Sequence, residues 1–235
     1  MRRAGILINL NRILLYLAVI LLVIFMFSPI AWMVLSSVQK EDSLLSVPPK
    51  WIPDQPVFDC YYALLTGNPG EKIELMGGAM SVIKAFPKAM INSFVIATLS
   101  TLLTLLLGAP SAYSIARLKV GVRRQLPLVI LTVRMIPFVC LMIPSYLMMK
   151  VFGLLDTLWG QIVVLTGLLL PFTIWMLRGF YIALPRELEE AAMIDGCTRA
   201  QAFLKIVVPL STPGLASVGL INFVIAWKEF LVPLV

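Results

Sequence analysis

Residues 13–35 read ILLYLAVILLVIFMFSPIAWMVL, and no charged side chain interrupts them. As a helix rising 1.5 Å per residue this stretch reaches about 35 Å, enough to cross a hydrocarbon core about 30 Å thick. It is too long for the apolar core of a secretion signal and is followed by no small-residue cleavage pattern. The first block is therefore read as a membrane span.

Four further apolar blocks follow, at 89–116, 126–149, 160–180 and 206–227. Their weight shows in the composition: 60% hydrophobic and 13% charged, against about 45–50% and 25% for soluble domains. A soluble enzyme, a nucleic-acid binder and a disordered tail are excluded. The net charge of +7 comes from basic residues gathered in particular loops, as membrane topology produces, and calls for no nucleic acid. Histidine is absent, which removes His-based catalysis and His metal sites. Cys60, Cys140 and Cys197 are far apart and match no metal-ligand or disulfide spacing. No metal and no cofactor is expected.

The short loops set the orientation. Arg2, Arg3 and Arg12 precede the first block, and Arg117, Lys119, Arg123 and Arg124 follow the second, in both cases without an acid. Arg178, Arg186, Arg199 and Lys205 surround the segment after the fourth. Only Lys150 and Asp156 flank the turn after the third. Positive charge inside places the N-terminus, the 117–125 loop and the 181–205 segment in the cytoplasm.

The expected organisation is a cytoplasmic N-terminus and first span at 1–35, an extracytoplasmic loop at 36–88, and core spans at 89–235. The 36–88 loop balances five lysines with six acids and is rich in turn formers, among them Pro48, Pro49, Pro53, Pro56 and Gly67-Asn68-Pro69-Gly70. Gly67–Lys72 is not a phosphate loop, because its glycine spacing is wrong and no Gly-Lys-Ser/Thr follows. Five spans starting inside end outside, yet the text stops at Leu234-Val235 in apolar sequence. A sixth span beyond Val235 is expected.

Residues 181–209 read YIALPRELEEAAMIDGCTRAQAFLKIVVP. Pro185 suits a first helical turn, and Glu187, Glu189 and Glu190 favour the positive end of the helix dipole. Leu188, Ala191, Ala192 and Asp195 are expected on one face, with Gly196 as the stop. Thr198 and Gln201 have the spacing of a capping box opening a second helix. Two short helices meeting at a glycine are thus expected on the cytoplasmic side. Small Ala191 and Ala192 beside Glu190 allow a partner's groove to approach, and the carboxylate can pair with a basic residue there. The alternative is an amphipathic helix lying on the bilayer. Such helices favour Lys and Arg on the polar face, and the acids here would be repelled by anionic lipid, so docking to a protein is the better reading.

Glu190-Ala191-Ala192-x-x-Asp195-Gly196, followed by Phe203-x-x-Ile206-x-x-Pro209, resembles the E-A-A loop of permease subunits of binding-protein-dependent ABC importers. Asn92-Ser93, Ala112-Tyr113-Ser114-Ile115-Ala116-Arg117 and Gly153-Leu154-Leu155-Asp156-Thr157 agree with it. Arg134-Met135-Ile136-Pro137 and Trp227-Lys228-Glu229-Phe230 look like the sugar-importer, maltose-type branch, with Lys228 where Asn is usual and Cys197 where Ala is common. The resemblance runs from about residue 25 to the end.

It implies an all-α, polytopic permease of the type I (MetI-like) importer fold in the cytoplasmic membrane. Such a chain is not itself an enzyme. It pairs with a second homologous permease subunit, sits on two ATPase subunits and receives solute from an extracytoplasmic binding protein. The implied function is import of a sugar or related polyol by alternating access. Glu187, Glu190, Ala191, Ala192, Asp195 and Gly196 would form the ATPase-docking helix.

Three residues are candidates for the solute path. Arg134 is an ionisable residue within an apolar block, a costly placement; it serves either a structural pairing or the path. Asn222 lines the path or bonds a neighbouring helix. Trp227 anchors at an interface or stacks on a sugar ring. Other functional classes stay open: a permease for a non-sugar solute, a membrane scaffold with an acidic docking helix, or a stand-alone carrier. The last would want an inverted repeat with matching broken spans, which this sequence lacks.

Overall fold

A computed structural model describes residues 2–44, 46–47, 50–53, 55–68, 79–117, 125, 129–130, 132–133 and 135–229. Its elements are helices: α1 (Arg2–Ser37), α2 (Glu41–Leu44), α3 (Asp59–Thr66), α4 (Ala79–Arg117), α5 (Phe138–Val151), α6 (Leu158–Ala183), α7 (Glu187–Ile194), α8 (Arg199–Leu210) and α9 (Thr212–Trp227). The chain divides at Pro87 into two compact units.

In the first unit, α1 carries apolar side chains all round, and those from Ile13 to Phe27 are exposed, as lipid-facing residues are. The polar text after it folds back on itself. Val57 N–H donates to the Val38 carbonyl at 2.8 Å, and Gln39 Nε2 donates to Lys50 O at 3.0 Å. Trp51 meets Trp32 edge-on at 4.9 Å. Gly67 closes α3 at φ +70°, its N–H on the Ala63 carbonyl, a conformation glycine adopts without a Cβ penalty.

The second unit holds α6, α9 and the part of α4 from Lys88 onward together. In lipid no hydrophobic force drives helices into contact, so close approach through small residues must hold them. Along α4, Ser100, Thr104, Ala112 and Ala116 are fully buried, each four residues from the next or from Gly108. A Cβ on Gly108 would lie 2.7 Å from the Thr173 methyl of α6. The buried hydroxyls satisfy themselves on their own helices: Thr104 on Ser100 O at 2.6 Å and Thr166 on Ile162 O at 2.7 Å.

Among the described residues, three helices are long and apolar enough to cross a membrane: Arg12–Ser37, Ser81–Arg117 and Leu158–Ala183. The second begins earlier than the block at 89 suggested, because Lys84, Pro87 and Lys88 continue the helix and do not end it. The block at 126–149 lies partly outside the described residues; its described helix is the shorter α5. The block at 206–227 is not one straight span. α8 and α9 meet at 75°, where Ser211 Oγ donates to Val207 O at 2.6 Å and Thr212 Oγ1 to Pro209 O at 2.8 Å. Pro209 and Pro213 each lack the N–H that would continue the ladder. The preceding turn, Phe203–Val207, is a π-helix, an irregularity common at functional sites.

Candidate functional site: the helix beyond the third long span

α6 ends at Ala183, Leu184 is extended, and α7 begins at Glu187, two residues after Pro185. Glu187, Glu189 and Glu190 occupy its first turn, where the free N–H groups and the dipole favour negative charge. Gly196, at φ +89°, ends the segment. Thr198 then opens α8 with the expected capping box: Thr198 N–H donates to Gln201 Oε1 at 2.8 Å, and Gln201 N–H to Thr198 Oγ1 at 3.3 Å.

The two faces of α7 differ. Glu189 and Ala192 are buried, while Glu187, Glu190, Ala191, Ile194, Asp195 and Gly196 are exposed, Ile194 to 85%. The expected common face of Leu188, Ala191, Ala192 and Asp195 is therefore corrected. Ala192 turns inward with Glu189, three residues before it. The exposed residues combine carboxylates, a small residue and the large apolar side chains of Leu188 and Ile194.

Glu189 sits at the centre of the buried side. Tyr113 Oη donates to its Oε2 at 2.9 Å. Arg117 Nε lies 2.6 Å from its Oε1, an ion contact whose angle falls short of a hydrogen bond. Arg117 Nη2 donates to Leu184 O at 2.8 Å, where the chain leaves α6. The Arg117 and Glu189 side chains are only 6% and 8% exposed. Beside them Phe203 meets the rings of Tyr113 and Tyr181, with centroids 4.7 and 6.2 Å away. The end of α4, the exit from α6, α7 and the π-turn thus converge on one buried carboxylate.

Sequence reasoning passed over Glu189 among its neighbouring acids, and over its partners Arg117 and Tyr113. No signal in the sequence singled Glu189 out: three and four residues after it stand Ala192 and Met193, but the same spacing from exposed Glu190 reaches Met193 and Ile194.

The remaining candidates are dispersed. Asn222 is fully buried, its Nδ2 donating to Thr173 Oγ1 at 2.7 Å, so it bonds α9 to α6. Trp227 is exposed and stacks on Phe223 at 5.8 Å. It borders a small cleft with Ser93 and Gln161 at the end of the unit opposite α7. Arg134 lies outside the described residues.

Residues 104–235 match the family described as "Binding-protein-dependent transport system inner membrane component". The sulfoquinovosyl glycerol transport system permease protein SmoH of Agrobacterium fabrum is 36% identical over 88% of this chain and 67% of its own length. The trehalose transport system permease protein SugB of Mycobacterium tuberculosis is 34% identical over 79% of this chain and 62% of its own. This chain thus spans about two-thirds of such relatives. A chain from the crystal structure of a bacterial ABC transporter involved in the import of the acidic polysaccharide alginate superposes with a TM-score of 0.73 at 23% identity. That superposition covers 93% of this chain and 72% of the other, and it shows the fold. The E-A-A resemblance is borne out: the chain belongs to the inner-membrane permease components of binding-protein-dependent transport systems.

Proposed function

We propose that this chain is the permease subunit of an ABC importer that carries a sugar or related polyol across the cytoplasmic membrane. Within that reading the N-terminus and α7 face the cytoplasm, and ATP hydrolysis is supplied by two separate ATPase subunits. A second, homologous permease and an extracytoplasmic binding protein complete the assembly. The observation that carries the reading is the two-sided α7. Its back is fixed to the spans, while Glu187, Glu190, Ala191, Ile194 and Asp195 face away from the chain. Such a face offers carboxylates to basic side chains of a partner and Ile194 to an apolar groove. Carbohydrate relatives support the substrate class.

For ATP to drive transport, α7 must bind the two states of the ATPase with different affinity. Co-expression with the neighbouring transport genes and purification through this chain tests the reading. The wild type retains the ATPase, and Glu190→Lys inserts normally but loses it. Normal recovery of the ATPase with Glu190→Lys would remove α7 as the docking element.

A further inference from the structure

We infer that the buried Arg117–Glu189 contact, closed by Tyr113, is a strut that makes α7 and the cytoplasmic end of α4 move as one body. The inference rests on the importer reading and goes beyond it. Docking concerns the exposed face of α7, whereas the strut concerns the opposite face and assigns Glu189, Arg117 and Tyr113 as positioning residues for coupling.

Removing two charges from water is costly, and a well-packed apolar pair often holds a fold equally well. What the charges add is direction. Oε2 of Glu189 is held by Tyr113 and Oε1 by Arg117, so both carboxylate oxygens are fixed from α4. Tyr113 and Arg117 stand one helical turn apart on α4. The second arm of the Arg117 fork holds Leu184 O, at the start of the short link between α6 and α7. Two attachments to the carboxylate and one to the backbone oppose both sliding and rotation of α7 against α4. The neighbouring Glu190 has the same chemistry and lies exposed. Two adjacent glutamates therefore divide the work, one toward the partner and one toward the spans.

The strut also explains how a push on a two-turn helix reaches the membrane. Gly196 follows α7 at φ +89°, and the π-turn and the 75° break come soon after. The path onward through α8 is therefore interrupted. α4, in contrast, is continuous from Ala79 to Arg117. A displacement delivered at Arg117 travels along an unbroken helix.

The test uses the assembled complex of the full-length chain with its partners. Spin labels at exposed Leu107 on α4 and exposed Leu188 on the flank of α7 report their separation, nucleotide-free and trapped with ATP and vanadate. In the wild type the distance is the same in both states. Glu189→Gln keeps the ATPase bound, but the distance shifts between states by about 1–2 Å or more, the scale of helix shifts in switching interfaces. Arg117→Lys, which keeps the charge, stays closer to the wild type than Arg117→Met. Tyr113→Phe keeps the ring against Phe203 and loosens the distance in part.

A wild-type distance that changes with nucleotide overturns the strut without any variant. So does a Glu189→Gln or Tyr113→Phe complex whose distance is as constant as the wild type's. A wild-type chain that retains no ATPase overturns the importer reading itself, a different outcome.

Discussion

The α7 end of the α4–α6–α9 unit and its middle are held by opposite means. At the α7 end, a buried ion pair and a tyrosine hydroxyl meet at Glu189, with the rings of Tyr113, Tyr181 and Phe203 packed edge-on or tilted beside them and a capping box opening the next helix. In the middle, small residues and hydroxyls bonded to their own helices line the contact, and a side-chain bond from Asn222 to Thr173 crosses it. The difference follows from the surroundings. Within lipid, a polar group without a partner is costly and close packing supplies the attraction. Beyond the end of a span, water can satisfy polar groups, so directional contacts between elements can be built there.

The comparison can be broken most forcefully at its charged end. Arg117→Met leaves Glu189 buried without the cation that touches it and should cost about 3–5 kcal/mol, the usual penalty for breaking a buried pair. Thermal unfolding of the purified complex in detergent measures it. A Tm unchanged from the wild type would mean that the pair is solvated and holds nothing.

Gly108→Ala tests the middle. Its new Cβ meets a Thr173 methyl that cannot turn aside, because the hydroxyl is held by Leu169 O at 3.1 Å and by Asn222. Overpacking of this kind costs about 1–3 kcal/mol. The same unfolding assay should show a clear loss, whereas Gly167→Ala, which has open space around it, should show almost none.

Thr198→Ala removes the capping hydroxyl that receives Gln201 N–H and should cost about 1 kcal/mol. Hydrogen exchange at Arg199–Ala202 should quicken, leaving α6 unaffected. The smallest effect is expected at Asn222→Leu, about 0.6 kcal/mol on average for an interhelical side-chain bond in a membrane. Thr173 keeps its own carbonyl partner, and an Oδ1 that has no bond in the structure is removed. A loss as large as that of Arg117→Met would reverse the contrast between the two regions.

Much of the fold was legible because hydropathy reports what lipid demands. The stretches at 13–35 and 160–180 are helical along their length, and Gly196 and the Thr198–Gln201 box fall where turn and cap chemistry place them. The E-A-A spacing carried the family. Two things were hidden. Glu189 and Arg117 lie far apart in the chain, and an acid's burial depends on which neighbour folds over it, which periodicity cannot report. The break at Ser211 was written in Pro209 and Pro213, but continuous apolar text outweighed them. The inward turn of Ala192 follows from the same error of face. Once Glu189 is seen to point inward, Ala192 one turn on must do so too.

The claim on which the account depends is that the outer face of α7 lies in the cytoplasm and is covered by an ATPase. With Cys60, Cys140 and Cys197 replaced by serine, a single cysteine at Ile194 can be challenged with a membrane-impermeant maleimide. In inside-out vesicles it should react when the chain is alone and be protected when the ATPase subunits are present. In right-side-out cells it should not react at all. Labelling from outside, or labelling from inside that the ATPase does not diminish, would contradict the account.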